Sequence, residues 1–176
     1  WHPRPLFHAF DPCLSWEGQS ADVTRVSAGE VRKHYVPERG ILQNYDARRQ
    51  KANEAELLGR LDSIHFPKMT RDINDLDFCM EYAGIPLSKN HLPDNWAEQM
   101  TKIITELGKA GIMHRDIRPE NLRIKNNVIR LIDFGWACRK NTAAAPFPKR
   151  LGSDFKAPEA FDDAYSLRKA LDFIRG

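Results

Sequence analysis

The chain has 176 residues, 41% hydrophobic and 29% charged, a balance that fits a globular domain with its own core and excludes a disordered or fibrous segment. Lys and Arg total 27 against 24 Asp and Glu, and the net charge of +3 gathers in no long basic block, which argues against nucleic acid as a partner. Cys13, Cys79 and Cys138 are too few and too irregularly spaced for a disulfide framework or a zinc site, and no apolar run approaches the ~20 residues that span a bilayer.

The first stretch, 1–13, is rich in proline and aromatic residues without a period and is expected to be an arm or linker. From Leu14 to Tyr35 the pattern is strand-like. Val31, Lys33 and Tyr35 alternate with Arg32 and His34, and Ser27-Ala28-Gly29-Glu30 reads as a hairpin turn. Between Asp46 and Leu61 a charged segment ends in Leu57, Leu58 and Leu61 at helical spacing, which predicts one amphipathic helix. Two short strands are expected over Pro67–Glu81.

Gly84 and Pro86 then mark a boundary. Pro93-Asp94 opens a helix whose stripe is Trp96, Met100, Ile103, Ile104 and Leu107, stopped by Gly111. Strands Leu122–Ile124 and Val128–Ile132 flank a turn at Asn126-Asn127. Thr142–Pro148 should form a mobile loop, and Ala164–Ile174 a last helix. The order gives an α+β chain in two unequal parts, 14–83 and 84–176, with a ligand expected in the cleft between them.

The stretch His114–Gly135 concentrates chemistry. Asp116, Asn121 and Asp133 supply the oxygen ligands that magnesium prefers, and Arg118 supplies positive charge. Gly135 would allow an unusual backbone turn next to Asp133. Each of these residues alone reads as an ordinary turn residue. Together, however, His114-Arg115-Asp116-Ile117-Arg118-Pro119-Glu120-Asn121 and Leu131-Ile132-Asp133-Phe134-Gly135 resemble the catalytic and metal-binding loops of eukaryotic-type protein kinases. Ala157-Pro158-Glu159 resembles the motif that closes the activation segment in that family.

The resemblance implies a two-lobed kinase-like fold, compact, with a small β-rich N-lobe and a truncated helical C-lobe. It also implies roles by position. Asp116 would accept or orient the substrate hydroxyl, Asn121 and Asp133 would hold magnesium or manganese, and Arg118 would touch the transferred phosphoryl group where a lysine is usual. Lys33 would hold the α- and β-phosphates of ATP; Arg32 falls on the other strand face. Glu54 would pair with Lys33, with Glu56 as the alternative. Met80-Glu81-Tyr82-Ala83 resembles the hinge, where Glu81 and Ala83 backbone groups would bond adenine. Gly18, Ser20 and Val23 fall in the phosphate-covering loop, which has one glycine instead of three. Arg123 stands where an apolar floor under adenine is usual, and would stack on the purine or mark a strand shifted by a residue. Asp163 would anchor the last helix.

Arg115 would bind a phosphate on the activation segment, with Thr142 and Ser153 as acceptors; a solvated basic loop is the competing reading. The resemblance implies an ATP-dependent phosphotransferase acting on protein Ser or Thr. A sugar, glycan end or other small molecule is the alternative acceptor, and a non-catalytic binding module the third reading. With no secretory signal at its start, the chain is expected inside the cell, in the cytoplasm.

Overall fold

The computed structural model describes residues 15–17, 20–39, 46–142, 147–148 and 153–176. The expectations for the 1–13 arm, Cys13, Gly18, the Ser153 side chain and most of the Ala-Pro loop lie outside the described residues.

The small lobe is a five-stranded antiparallel sheet in the order β1-β2-β3-β5-β4. Its strands are β1 (Ser15–Glu17), β2 (Ala21–Arg25), β3 (Glu30–Tyr35), β4 (Met69–Asp72) and β5 (Asp77–Glu81). Period-two alternation sorts β3 as expected: Val31, Lys33 and Tyr35 are buried, whereas Arg32 and His34 turn outward onto Asp77, at 2.8 and 3.1 Å. Helix α1 (Ala47–Leu58) crosses this sheet. It starts at Asp46, whose carboxylate caps the free amide of Arg49 at 2.9 Å. Its buried residues include Gln50, Lys51, Glu54, Leu57 and Leu58, so three polar residues occupy positions where core packing alone would favour apolar ones.

The large lobe begins at Gly84, where φ is +103° and an added Cβ would lie 2.0 Å from the Ile124 carbonyl oxygen. The predicted break is therefore a close backbone crossing. Behind it run β6 (Ile85–Pro86), α2 (Trp96–Lys109), β7 (Ile112–Met113), β8 (Leu122–Lys125), β9 (Val128–Leu131), β10 (Cys138–Arg139) and α3 (Asp163–Arg175). Strands β6, β8 and β9 form one sheet and β10 pairs with β7. The two-residue strands β6, β7 and β10 were not expected, since periodicity has nothing to act on over so short a span.

Asn126 and Asn127, at φ +51° and +62°, close the β8–β9 hairpin in the left-handed region that asparagine tolerates. Gln99 of α2 locks this turn: its amide donates to the Asn127 carbonyl at 2.9 Å and accepts from the Ile129 amide at 2.8 Å. Ile103 and Leu107 of α2, Ile112, Ile129, Leu131, Phe134, and Leu167 and Leu171 of α3 are all buried in one core that also takes in Phe66 and Phe78 of the small lobe. Each such side chain contributes on the order of 1.5–3 kcal/mol by leaving water. Cys79 and Cys138 are buried free thiols. Among the described residues, no helix is long and apolar enough to cross a membrane.

Candidate active site

The interlobe cavity is lined by Ser20, Ala21 and Val23 from above, Lys33, Tyr35 and Gln50 behind, and Met80 from β5. Its lower wall is Asp116, Arg118, Glu120, Asn121, Ile132, Asp133 and Trp136.

The back wall is ionic. Lys33 Nζ lies 2.7 Å from Glu54 Oε2 and 2.9 Å from Asp133 Oδ1, so one ammonium joins the sheet, helix α1 and the loop of Asp133. Burial works against its charge, but the Asp133 and Glu54 carboxylates outweigh that and raise its pKa above the ordinary lysine value. Asp133 is the mirror case: burial opposes ionisation, and Lys33 outweighs it, holding the carboxyl below its usual range. The other oxygen of Glu54 accepts the Phe134 amide at 3.0 Å. Asn53, one residue earlier, donates to the Ala137 carbonyl at 2.8 Å. Glu56 is engaged elsewhere, with Arg60 and Arg139. It is not the Lys33 partner, and it lies on the exposed, charged face of the helix.

The floor rests on buried histidine and aspartate. His114 Nε2 meets the Ile132 carbonyl at 3.0 Å and so must carry the proton, leaving Nδ1 to accept the Asp116 amide at 3.2 Å. Burial lowers the His114 pKa, so this neutral tautomer is the stable one. Its ring packs edge-on against Phe134, centroids 4.7 Å apart. The Asp163 carboxylate accepts the amides of His114 and Arg115 at 2.7 and 3.0 Å, tying α3 to the loop. Arg115 and Asp133 both have φ of +67°. The left-handed turn is thus carried by Asp133 itself. Gly135 has no left-handed φ; it is glycine because a Cβ there would sit 2.7 Å from the Tyr35 hydroxyl oxygen.

Asp116 is shifted the other way from Asp133. Burial pushes its pKa up to about 7, against the opposing charges of Arg118 and Lys156. Arg118 Nε stands 3.5 Å from Asp116 Oδ1. Asp116 Oδ1, Ser20 Oγ and Glu120 Oε2 are buried without a hydrogen bond among the described residues, and the two carboxylate oxygens face Arg118 Nε at 3.5 and 4.0 Å. Asn121 spends its amide donors on Asp116, at 2.8 Å to the backbone oxygen and 3.3 Å to the side chain, which leaves its own amide oxygen for a cation. With Asp133 this makes a hard-oxygen pair suited to magnesium, an ion that keeps waters and phosphate oxygens for its remaining positions.

Of the predicted nucleotide contacts, Ser20, Val23, Lys33 and Met80 line the cavity, whereas Glu81, Ala83 and Arg123 do not. Arg123 lies in β8 opposite Pro86 and Arg130, buried near Tyr82, where burial pushes its pKa down to about 10. Arg115 is held inside the protein. It is 5% exposed, its Nε donates to the Trp136 carbonyl at 2.7 Å, and its guanidinium stacks on Phe147 and Phe161. Thr142 is exposed, its hydroxyl turned onto the Arg139 carbonyl at 2.8 Å.

Sequence reading missed Tyr35, Gln50, Trp136 and Lys156 as site residues. Gln50 was detectable, since it lies one helical turn before Glu54 on the same face. Lys156 faces Asp116 only through the fold.

A β-sheet lobe over a helical lobe, tied together where Lys33 of the small lobe meets Asp133 of the large one, is the two-lobed α+β arrangement of kinase-like folds. A family model described as protein kinase domain matches residues 43–173, and the chain belongs to that family. The match begins after β3, so the place of Lys33 rests on geometry. Among similar proteins, cyclin-dependent kinase F-4 of Oryza sativa subsp. japonica is 33% identical over 134 residues, 68% of this chain and 29% of that protein. An Aurora kinase of Saccharomyces cerevisiae is 30% identical over 128 residues, 63% of this chain and 34% of its own length. The human MAPK/MAK/MRK overlapping kinase is 35% identical over 89 residues, covering 49% and 21%. The chain thus spans about a third or less of the length of these relatives.

Proposed function

We propose that this chain transfers the γ-phosphoryl group of ATP to a hydroxyl, with protein serine or threonine as the acceptor. The observation that carries this reading is the convergence of Lys33, Asp116, Arg118, Asn121 and Asp133 on one cavity, with Lys33 bridging Glu54 and Asp133 at 2.7 and 2.9 Å.

In this reading Lys33 holds the α- and β-phosphates, its ammonium kept charged by two carboxylates. Asn121 and Asp133 hold magnesium or manganese, which neutralises phosphate charge when bound. Asp116 orients the attacking hydroxyl and takes its proton; a carboxyl titrating near 7 both accepts and releases a proton at neutral pH. Arg118, 3.5 Å away, offers its planar fork to the moving phosphoryl oxygens. The names of the similar proteins, all kinases, support the reaction, and membership of the protein kinase domain family supports a protein acceptor.

The test is incubation with γ-labelled ATP and Mg²⁺ on generic protein acceptors and on glycans, with Asp116→Ala as control. Label on Ser or Thr that is lost in the variant supports the proposal. Label on glycan alone would move the acceptor class, and absence of ATP binding would overturn the reading.

A further inference from the structure

The kinase reading assigns no part to Tyr35, yet its hydroxyl touches three segments of the site. It donates to Glu54 Oε2 at 2.5 Å, the same oxygen that Lys33 approaches at 2.7 Å. Its ring lies under the Lys33 ammonium, 4.9 Å from Nζ to centroid. Its oxygen also occupies the space a side chain at position 135 would need, 2.7 Å from an ideal Cβ. The residue is 1% exposed and two positions beyond Lys33 on one strand face, so the backbone that aims the lysine also aims the hydroxyl. A buried aromatic serving only as packing needs no hydroxyl, and phenylalanine would fill the same volume.

We infer that Tyr35 is a positioning residue for phosphoryl transfer: its hydroxyl fixes the Glu54 carboxylate, and through it Lys33, while fitting against Gly135 so that the metal-binding loop has one seat. This deepens the kinase reading and rests on it for its catalytic half. Its packing half stands on geometry alone.

The test is a double-mutant cycle of Tyr35→Phe, Gly135→Ala and the pair, each measured for kcat, KM for Mg-ATP and melting temperature. Loss of one hydrogen bond to a charged acceptor should lower kcat about tenfold in Tyr35→Phe with little change in KM, since the lysine remains and only its alignment suffers. Gly135→Ala should lower both kcat and melting temperature, because the new methyl meets the hydroxyl oxygen. Adding Tyr35→Phe should then raise both above the Gly135→Ala values, as the ring carbon left behind lies at an ordinary 3.6 Å. Wild-type kcat in Tyr35→Phe, or a double variant no better than Gly135→Ala, overturns the inference. If the unaltered chain turns over no acceptor, the kinase reading and the catalytic half of this inference fall together, and the melting-temperature cycle decides the packing half alone.

Discussion

Asp163, in the first turn of α3, accepts the backbone amide of His114 at 2.7 Å, and so a helix late in the chain holds the entrance to the loop of Asp116. Its second oxygen takes the amide of Arg115, a residue at φ +67° that needs such support. Asp163→Ala should cost about 2–4 kcal/mol, read as a lower melting midpoint, and should lower turnover at least tenfold. Asp163→Asn, which keeps one acceptor, should fall between.

Asp116 pays for its position with stability. Its folded pKa of about 7 lies above the ordinary value of 3.8. Below pH 3.8 both states are protonated and the residue is neutral to folding. As pH rises, the unfolded chain ionises first, and stability falls, by on the order of 4 kcal/mol once pH passes 7. Asp116→Asn, without nucleotide or metal, should therefore melt several degrees higher at pH 8, and the gain should shrink toward pH 5. Thermal melts across that range check it.

In the proposed reaction the same carboxyl should set the acidic limb of the pH–rate profile. Lys156 lowers the Asp116 pKa through its charge. Lys156→Met should move that limb to higher pH. An unmoved limb would show that Asp116 does not titrate in the reaction.

Glu54 and Glu56 differ by two positions and should differ widely in effect. Glu54 is fully buried between Lys33, Tyr35 and the Phe134 amide. Glu54→Gln should lower kcat by more than tenfold. Glu56→Gln breaks surface pairs with Arg60 and Arg139, worth roughly 0–1 kcal/mol, and should leave ATP binding unchanged. Isothermal titration and steady-state rates separate the two.

Gln99→Leu offers a stability probe remote from the cavity. It strips partners from the Asn127 carbonyl and the Ile129 amide at a 5% exposed site. The expected loss is about 2–3 kcal/mol, or some 4–12 °C in melting midpoint at this size.

How much of this was legible beforehand follows the range of each signal. The strand carrying Lys33, the helix carrying Glu54 and the Asn-Asn hairpin were readable because period and turn chemistry act over a few residues. The identity of Glu54 over Glu56 came from resemblance, and the reason for it, a carboxylate shared by three donors, lies in the fold. Gly135 shows the limit well. Its type was legible and its cause was not: the glycine answers a hydroxyl 100 positions away in the chain, while the left-handed turn belongs to Asp133. That Phe147 and Phe161 lie beside the Arg115 guanidinium is set by the fold and carries no local signal in the sequence.

Strands β7 and β10 pair outside the β8–β9 hairpin, Met113 opposite Cys138 and Leu122 opposite Leu131, as nested brackets. The two loops that bear Asp116 and Asp133 are the gaps between inner and outer bracket. The inner hairpin closes over a short turn, and once formed it shortens the path the outer pair must close. The order of assembly is thereby biased: hairpin first, outer rung second, catalytic loops aligned last. Amide exchange should report this as a hierarchy, with Ile129 and Leu131 exchanging only on global opening and the amides of His114 and Phe134 on a lower-energy excursion that unseats chemistry without unfolding the lobe.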